Sequence, residues 1–488
     1  MKIGFDNDKY LHMQSEHIKE RIDHFGDKLY LEFGGKLYDD YHASRVLPGF
    51  MPDSKLRMLL QLRDQAEIVV AISAGAIASN KMRGDLGITY DEDALRLIEV
   101  FRSFGLYVGS VAITQYTGEA AADEFRRHLD ALGIPSYLLY KIEGYPSNIE
   151  HIVSDDGYGK NDYIKTSRPL VVVTAPGPGS GKMATCLSQL YHEHKRGISA
   201  GYAKFETFPV WNLPLNHPVN IAYEAATADL NDVNMIDPFH LEAYGKTTVN
   251  YNRDVEVYPV LRAMFERIYG HCEYQSPTDM GVNMVGNCIC DDAVCQQAAK
   301  DEIIRRYYTE VCNIKKGLGS KEALYKIELL MKQAGISPAD RAITTCALEI
   351  ETQTHAPAVA VALDNDVIVD GKTSDLLSAP AAALINVLKE LAGIDHKKPL
   401  ISPEALQPIS QLKKNYLGST DASLHSDEVL VALSISSNND ADAKAAFDKI
   451  PELKGCNVHS SVMLDEVDEQ IFKKLGMYLT CEPKTKVI

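Results

Sequence analysis

Apolar residues in the first half of the chain fall into short runs, separated by stretches in which they recur with helical spacing. KLYLEFGGK (28–36), EIVVAISAGA (67–76), LYVGSVAITQYTG (106–118), SYLLY (136–140), LVVV (170–173) and GYAKFETF (201–208) read as strands. Helices are expected over 54–65, 91–104 and 119–132, and a polar amphipathic helix opens the chain. Mostly apolar strands alternating with helices predict an α/β fold with a parallel sheet covered on both faces. In such a sheet ligands bind along the carboxyl edge of the strands. Lys36, Ser73, Arg83, Thr114 and Gln115 follow predicted strands and so fall near that edge, although each by itself is as readily a cap or a solvated turn residue.

The pattern changes at residue 209. The stretch 209–254 is rich in proline, asparagine and aspartate, carries the single Trp211, and offers only 221–228 as a helix. Its aromatic content argues for order, so it reads as a substrate-binding region packed near the sheet edge. Helices dominate from 256 to about 335, after which a smaller α/β unit begins. AITTCALEI (342–350), VLVALSIS (429–436), VHSSVML (458–464) and MYLTC (477–481) read as its strands, with helices over 379–392, 441–447 and 466–475. AVALDNDVIVDG reads as a β-hairpin turning at 364–366. The expected domains are 1–220, a middle segment 221–335, and a C-terminal α/β domain 336–488.

The chemistry concentrates in RPLVVVTAPGPGSGKMATCLSQLYHEHKRG (168–197), a strand running into a glycine loop and then a helix. Backbone N–H groups of Gly177, Gly179, Ser180 and Gly181, a helix N-terminus and Lys182 can together receive an anion. The run departs from G-x-x-x-x-G-K-[ST] at Pro176 and at Met183, leaving Ser180 or Thr185 to supply a hydroxyl. The alternative is a glycine turn needed only for tight packing. Phosphoryl chemistry also needs carboxylates for Mg²⁺ and a cation for developing charge. Asp237, Glu206 and Asp279 are the candidate ligands; Lys182, Arg83, Arg253 and Asp237 are the candidate catalytic residues. ATP or GTP, with Mg²⁺, is the expected cofactor.

Composition narrows the partners. A formal net charge of −17 over 488 residues opposes binding to nucleic acid or anionic lipid. With no apolar run of bilayer length and a polar first helix, the expectation is a cytoplasmic protein away from membranes. Expected partners are a small-molecule substrate and, as an open option, a second copy of the chain. Nine cysteines fit reduced thiols; Cys288, Cys290 and Cys295 match no standard zinc spacing and read as thiols at a helix start. His425 and His459 read as structural.

KLYLEFGGK, RVLPGF, RGDLGITYD, KNDYIKTSRPLVVVTAPGPGSGK, YAKFETFPVWNLP, NMIDPFHLEAYG, TVNYNRD and SPTDMGVNMVG together resemble one bacterial family, domain of unknown function 1846, also called uncharacterised protein family 0371. The resemblance spans the chain and implies a multi-domain cytoplasmic protein. The GPGSGK loop alone is also similar to that of adenylate-kinase-type proteins, an analogy limited to one element. The readings that follow are a nucleotide-using enzyme acting on a small molecule by phosphoryl transfer, ligation or hydrolysis. Alternatives are a non-catalytic nucleotide or phosphate sensor, or a transferase holding a phosphorylated metabolite in the loop.

Overall fold

The computed structural model describes residues 2–35, 37–38, 40–83, 86–363, 367–419 and 423–485. Lys36 and the expected hairpin turn at 364–366 lie outside the described residues. The chain divides into two compact units, Ile3–Glu224 with Asn231–Ala299, and Lys300–Ile488 with Ala225–Leu230 and the first two residues.

In the larger unit the strands are, in chain order, β1 (Lys28–Phe33), β2 (Ala66–Ser73), β3 (Met82–Arg83), β4 (Ile88–Thr89), β5 (Tyr107–Tyr116), β6 (Ser136–Tyr140), β7 (Leu170–Thr174), β8 (Ala200–Phe205), β9 (Asn234–Ile236), β10 (Val249–Tyr251) and β11 (Gly281–Val282). Seven form one parallel sheet in the order β11-β8-β1-β7-β2-β5-β6. β1, β2 and β7 are buried at every position, as a sheet covered on both faces requires. β3 pairs with β4, and β9 with β10, both antiparallel. One face of the sheet carries Tyr30, Val171, Val173 and Tyr202, which pack into a single core with Leu187 and Leu190 of helix Lys182–Lys195 and Tyr258, Leu261 and Phe265 of helix Asn252–Tyr269.

The strand order contains a reversal. From β1 the chain passes over β7 to β2 and then outward to β5 and β6; from β7 it returns past β1 to β8 and then to β11. Connections therefore leave β1 and β7 in opposite directions, which opens a crevice between their carboxyl ends. The stretch after residue 208 holds more regular structure than its composition implies. Helices Pro218–Ala226 and Pro238–Tyr244 form there, the second capped by the Asp237 side chain, which accepts from the Phe239 and His240 amides, both at 3.0 Å.

The smaller unit holds β12 (Ala358–Ala362), β13 (Ile368–Lys372), β14 (Asn457–Ser460) and β15 (Tyr478–Cys481), in the order β13-β12-β14-β15. β12 and β13 form the expected antiparallel pair. Two expected strands are helices instead. Residues 342–350 lie in helix Ala342–Thr354, whose Ile343 and Ala347, one turn apart, pack on Ala360 of β12. Residues 429–436 lie in helix Ser426–Ser436, which buries Val429, Ala432 and Leu433 and leaves Val431 and Ile435 exposed. Capping overrides the β-branched composition here: Asp468 accepts from the Ser426 amide at 2.8 Å, and Glu428 accepts from the His425 amide at 2.8 Å.

His425 thus caps a helix and does not precede a strand. Its Nδ1 lies 3.1 Å from Asp465 and 3.3 Å from Asp468. Those two carboxylates outweigh partial burial and push its pKa up to about 10. A histidine raised above its unfolded value of about 6.5 stabilises the fold fully below that pH and loses the contribution as pH rises toward the folded value. In thermal melts the wild type is therefore expected to lose stability between about pH 6.5 and pH 10, and His425→Gln to be less stable at neutral pH with a shallower slope across that window. Equal slopes for the two proteins would refute the assignment.

Candidate functional site

The crevice between β1 and β7 is built from the ends of four elements. β7 ends at Thr174 and the glycine loop begins. Gly179 and Gly181 adopt left-handed backbone, φ 78° and 79°, which glycine reaches without steric cost. A Cβ on Gly181 would lie 2.8 Å from Thr114 Oγ1, and one on Gly177 would run into the Tyr90 hydroxyl. The loop is thus pressed against β5 and against the helix that starts at Tyr90. Thr114 Oγ1 donates to the Ser180 carbonyl at 2.8 Å. The next residue, Gln115, takes φ 54°, an uncommon conformation for a residue with a Cβ, at the carboxyl edge of β5.

These constraints hold the loop amides off other acceptors. Among the described residues, no group accepts a hydrogen bond from the amides of Gly177, Gly179, Ser180, Gly181, Lys182, Met183 or Ala184. The Ser180 hydroxyl donates to the Gly177 carbonyl and the Thr185 hydroxyl to the Gly181 carbonyl, both at 2.9 Å, so both stabilise the turn. Pro178 and Gly179 at the tip are exposed. Lys182 is half-buried, and its ammonium has no ion-pair or hydrogen-bond partner among the described residues. Burial lowers its pKa, opposed by the charge of Glu32 and reinforced by Lys204.

Beside the loop lies a buried cluster of charge. Glu32 of β1 is in register with Val173 of β7 on one side and Lys204 of β8 on the other. It accepts from the Tyr202 hydroxyl at 2.6 Å. Lys204 reaches Glu206 at 2.9 Å and also contacts Asp254 and the Tyr251 hydroxyl. Asp254 sits in the first turn of helix Asn252–Tyr269, so two helix N-termini approach one crevice. Burial opposes the charged form of Lys204, but Asp254, Glu206 and Tyr251 outweigh it and hold the ammonium well above the usual lysine range. Burial pushes Glu206 up to about 8; Lys204 pulls it down and Asp254 pushes it further up. The arrangement can hold a phosphate-sized anion at the loop and exchange a proton at neutral pH close by.

The expected site residues separate into groups. Gly177, Gly179, Ser180, Gly181, Lys182 and Thr185 lie together, with Glu206 on the same sheet edge. Arg83 is buried in an ion pair with Asp93 at 2.8 Å, and Arg253 pairs with Asp232 at 2.7 Å. The remaining oxygen of Asp237 accepts from Thr278 Oγ1 at 2.6 Å, while Asp279 accepts from Tyr244 and from the Gln275 amide. Among the described residues, the only three His, Cys, Asp or Glu ligand atoms within 4.8 Å of one another belong to His425, Asp465 and Asp468. Asp237, Glu206 and Asp279 therefore do not share a ligand set. Sequence reasoning passed over Glu32 and Lys204, whose signal is a single charge near the carboxyl end of an otherwise apolar strand.

All nine cysteines are free thiols, with Cys288 and Cys295 buried ahead of and within helix Asp292–Lys315 and Cys290 exposed. Among the described residues no helix is long and apolar enough to cross a membrane.

Residues 3–335 match the family "Domain of unknown function DUF1846, N-terminal" and residues 339–487 its C-terminal counterpart. A UPF0371 protein of Streptococcus sanguinis (strain SK36) is 57% identical over 482 residues, covering 99% of this chain and 98% of that protein. UPF0371 proteins of Streptococcus uberis and Streptococcus thermophilus are 57% and 56% identical over the same length. The chain belongs to the DUF1846 family, as its long motifs imply.

Proposed function

We propose that this member of the DUF1846 family binds the phosphates of a nucleotide, ATP or GTP, in the crevice between β1 and β7 and transfers a phosphoryl group to a small molecule. One observation carries the reading: among the described residues, seven consecutive non-proline amides of the loop and first helical turn lack acceptors beside an ammonium, that of Lys182, with no partner. Amides without protein acceptors at a helix N-terminus beside an ammonium form an anion-binding concavity, and one anion satisfies both the amides and the lysine. The buried Lys204–Glu206–Asp254 cluster favours an enzyme over a sensor, since anion binding alone has no use for a proton-exchanging carboxyl. Among the described residues no three ligand atoms gather here, which fits Mg²⁺ entering on the nucleotide phosphates and keeping its waters.

Calorimetric titration of the full chain with MgATP, MgGTP and inorganic phosphate tests the reading. Saturable binding of at least one nucleotide, tighter than that of phosphate, is expected. The absence of heat with all three would overturn it.

A further inference from the structure

The charge in the crevice is arranged for more than holding an anion. Lys204 and Glu32 are register partners on β8 and β1, and Glu206 follows β8 directly, so Lys182, Glu32, Lys204 and Glu206 line up along the sheet edge. Lys204 faces two carboxylates at once: Glu206, from the end of its own strand, and Asp254, from helix Asn252–Tyr269. Lys204, Glu206 and Asp254 are all buried. One buried ammonium neutralises one carboxylate; the second must be protonated or bear the full cost of desolvation. The groups acting on Glu206 are Lys204 and Asp254, while Tyr223 of helix Pro218–Ala226 and Tyr251 of β10 feel its charge in turn; its amide donates to Val282 of β11. No purely structural pair needs the extra acid.

We propose that Glu206 is the proton acceptor for the nucleophile in this crevice, with Lys204 and Asp254 as its positioning residues, and that the substrate is therefore a small molecule attacking through a hydroxyl group. This rests on the phosphoryl-transfer reading. In the step, the hydroxyl oxygen forms a bond to the terminal phosphorus and its proton passes to the Glu206 carboxylate. The bond from that phosphorus to the bridging oxygen breaks, and its electron pair leaves with the nucleoside diphosphate. Glu206 then returns the proton to solvent, and water is the smallest nucleophile that can enter. Asp254, by its negative charge, keeps Glu206 basic enough to accept at neutral pH.

The test uses water as nucleophile, following MgATP hydrolysis by the full chain from about pH 6 to about pH 9.5, with MgATP binding measured by calorimetry at each pH. Hydrolysis is expected to rise with pH, half-maximal at about pH 8 and levelling off about one unit above it. Glu206→Gln is expected to bind MgATP within about threefold of the wild type while losing roughly 100-fold or more in turnover, with no pH rise. Asp254→Asn, should the first variant not fold, is expected to move the midpoint to lower pH. Wild-type binding with no turnover above that of Lys182→Ala overturns the inference and leaves nucleotide binding standing. So does an unaltered profile in Glu206→Gln, or in Asp254→Asn where that variant is used. If the wild type binds no nucleotide, both readings fall.

Discussion

Lys182→Ala is expected to weaken nucleotide and phosphate binding by about 2–3 kcal/mol, on the order of 30- to 150-fold, without lowering the melting temperature. The two halves of that result have one cause. In the free protein the ammonium has no partner among the described residues, and burial depresses its pKa, so the fold gains nothing from it. Only a ligand can supply the opposite charge. A lysine retained for packing would behave the other way, costing stability and leaving the affinity alone. Calorimetry and thermal denaturation of the same preparations separate the two, and unchanged affinity would remove Lys182 from the site.

Lys204→Met has the opposite signature, a loss of stability of about 3–5 kcal/mol at pH 8, because it strands buried carboxylates. Lys204 meets Glu206 and Asp254 inside the sheet edge, where all three are buried. The sign of the pH dependence follows from Glu206, pushed up to about 8 by burial. Once Lys204 is gone its pKa rises further, so the native state binds protons that the unfolded state releases. Across the range between those two pKa values, stability falls as pH rises. Wild-type Glu206 shares that slope up to about pH 8, so the defect in Lys204→Met should grow as pH rises above about 8, where only the wild type has released the proton, and should shrink when Glu206→Gln and Asp254→Asn are added. Denaturant titrations at about pH 6.5 and about pH 9.5 check this. A defect independent of pH would mean that Lys204 acts through its aliphatic stem and not through its charge.

The loop was legible because its features are local. A strand, glycines with positive φ, a lysine and a helix start within fifteen residues leave a pattern that periodicity and turn chemistry can read. Arg253 illustrates the limit: it is cationic and close in sequence to the polar stretch, yet its guanidinium is committed to Asp232. Asp237 reads as a candidate metal ligand by its residue type, but it follows β9 and its carboxylate caps the helix after it. Short apolar runs rich in β-branched residues also misled at 342–350 and 429–436, where caps and one-sided packing made helices.

The sequence by itself determined the α/β alternation, the family and the position of the glycine loop, since each is written in neighbouring residues. Tertiary structure alone decided that β1 lies between β7 and β8. That order brings Glu32, Lys182, Lys204, Glu206 and Asp254 to one crevice from positions far apart in the chain. Strand order is set by how all the connections pack at once, and charge compensation acts through space, so neither leaves a periodic trace along the chain.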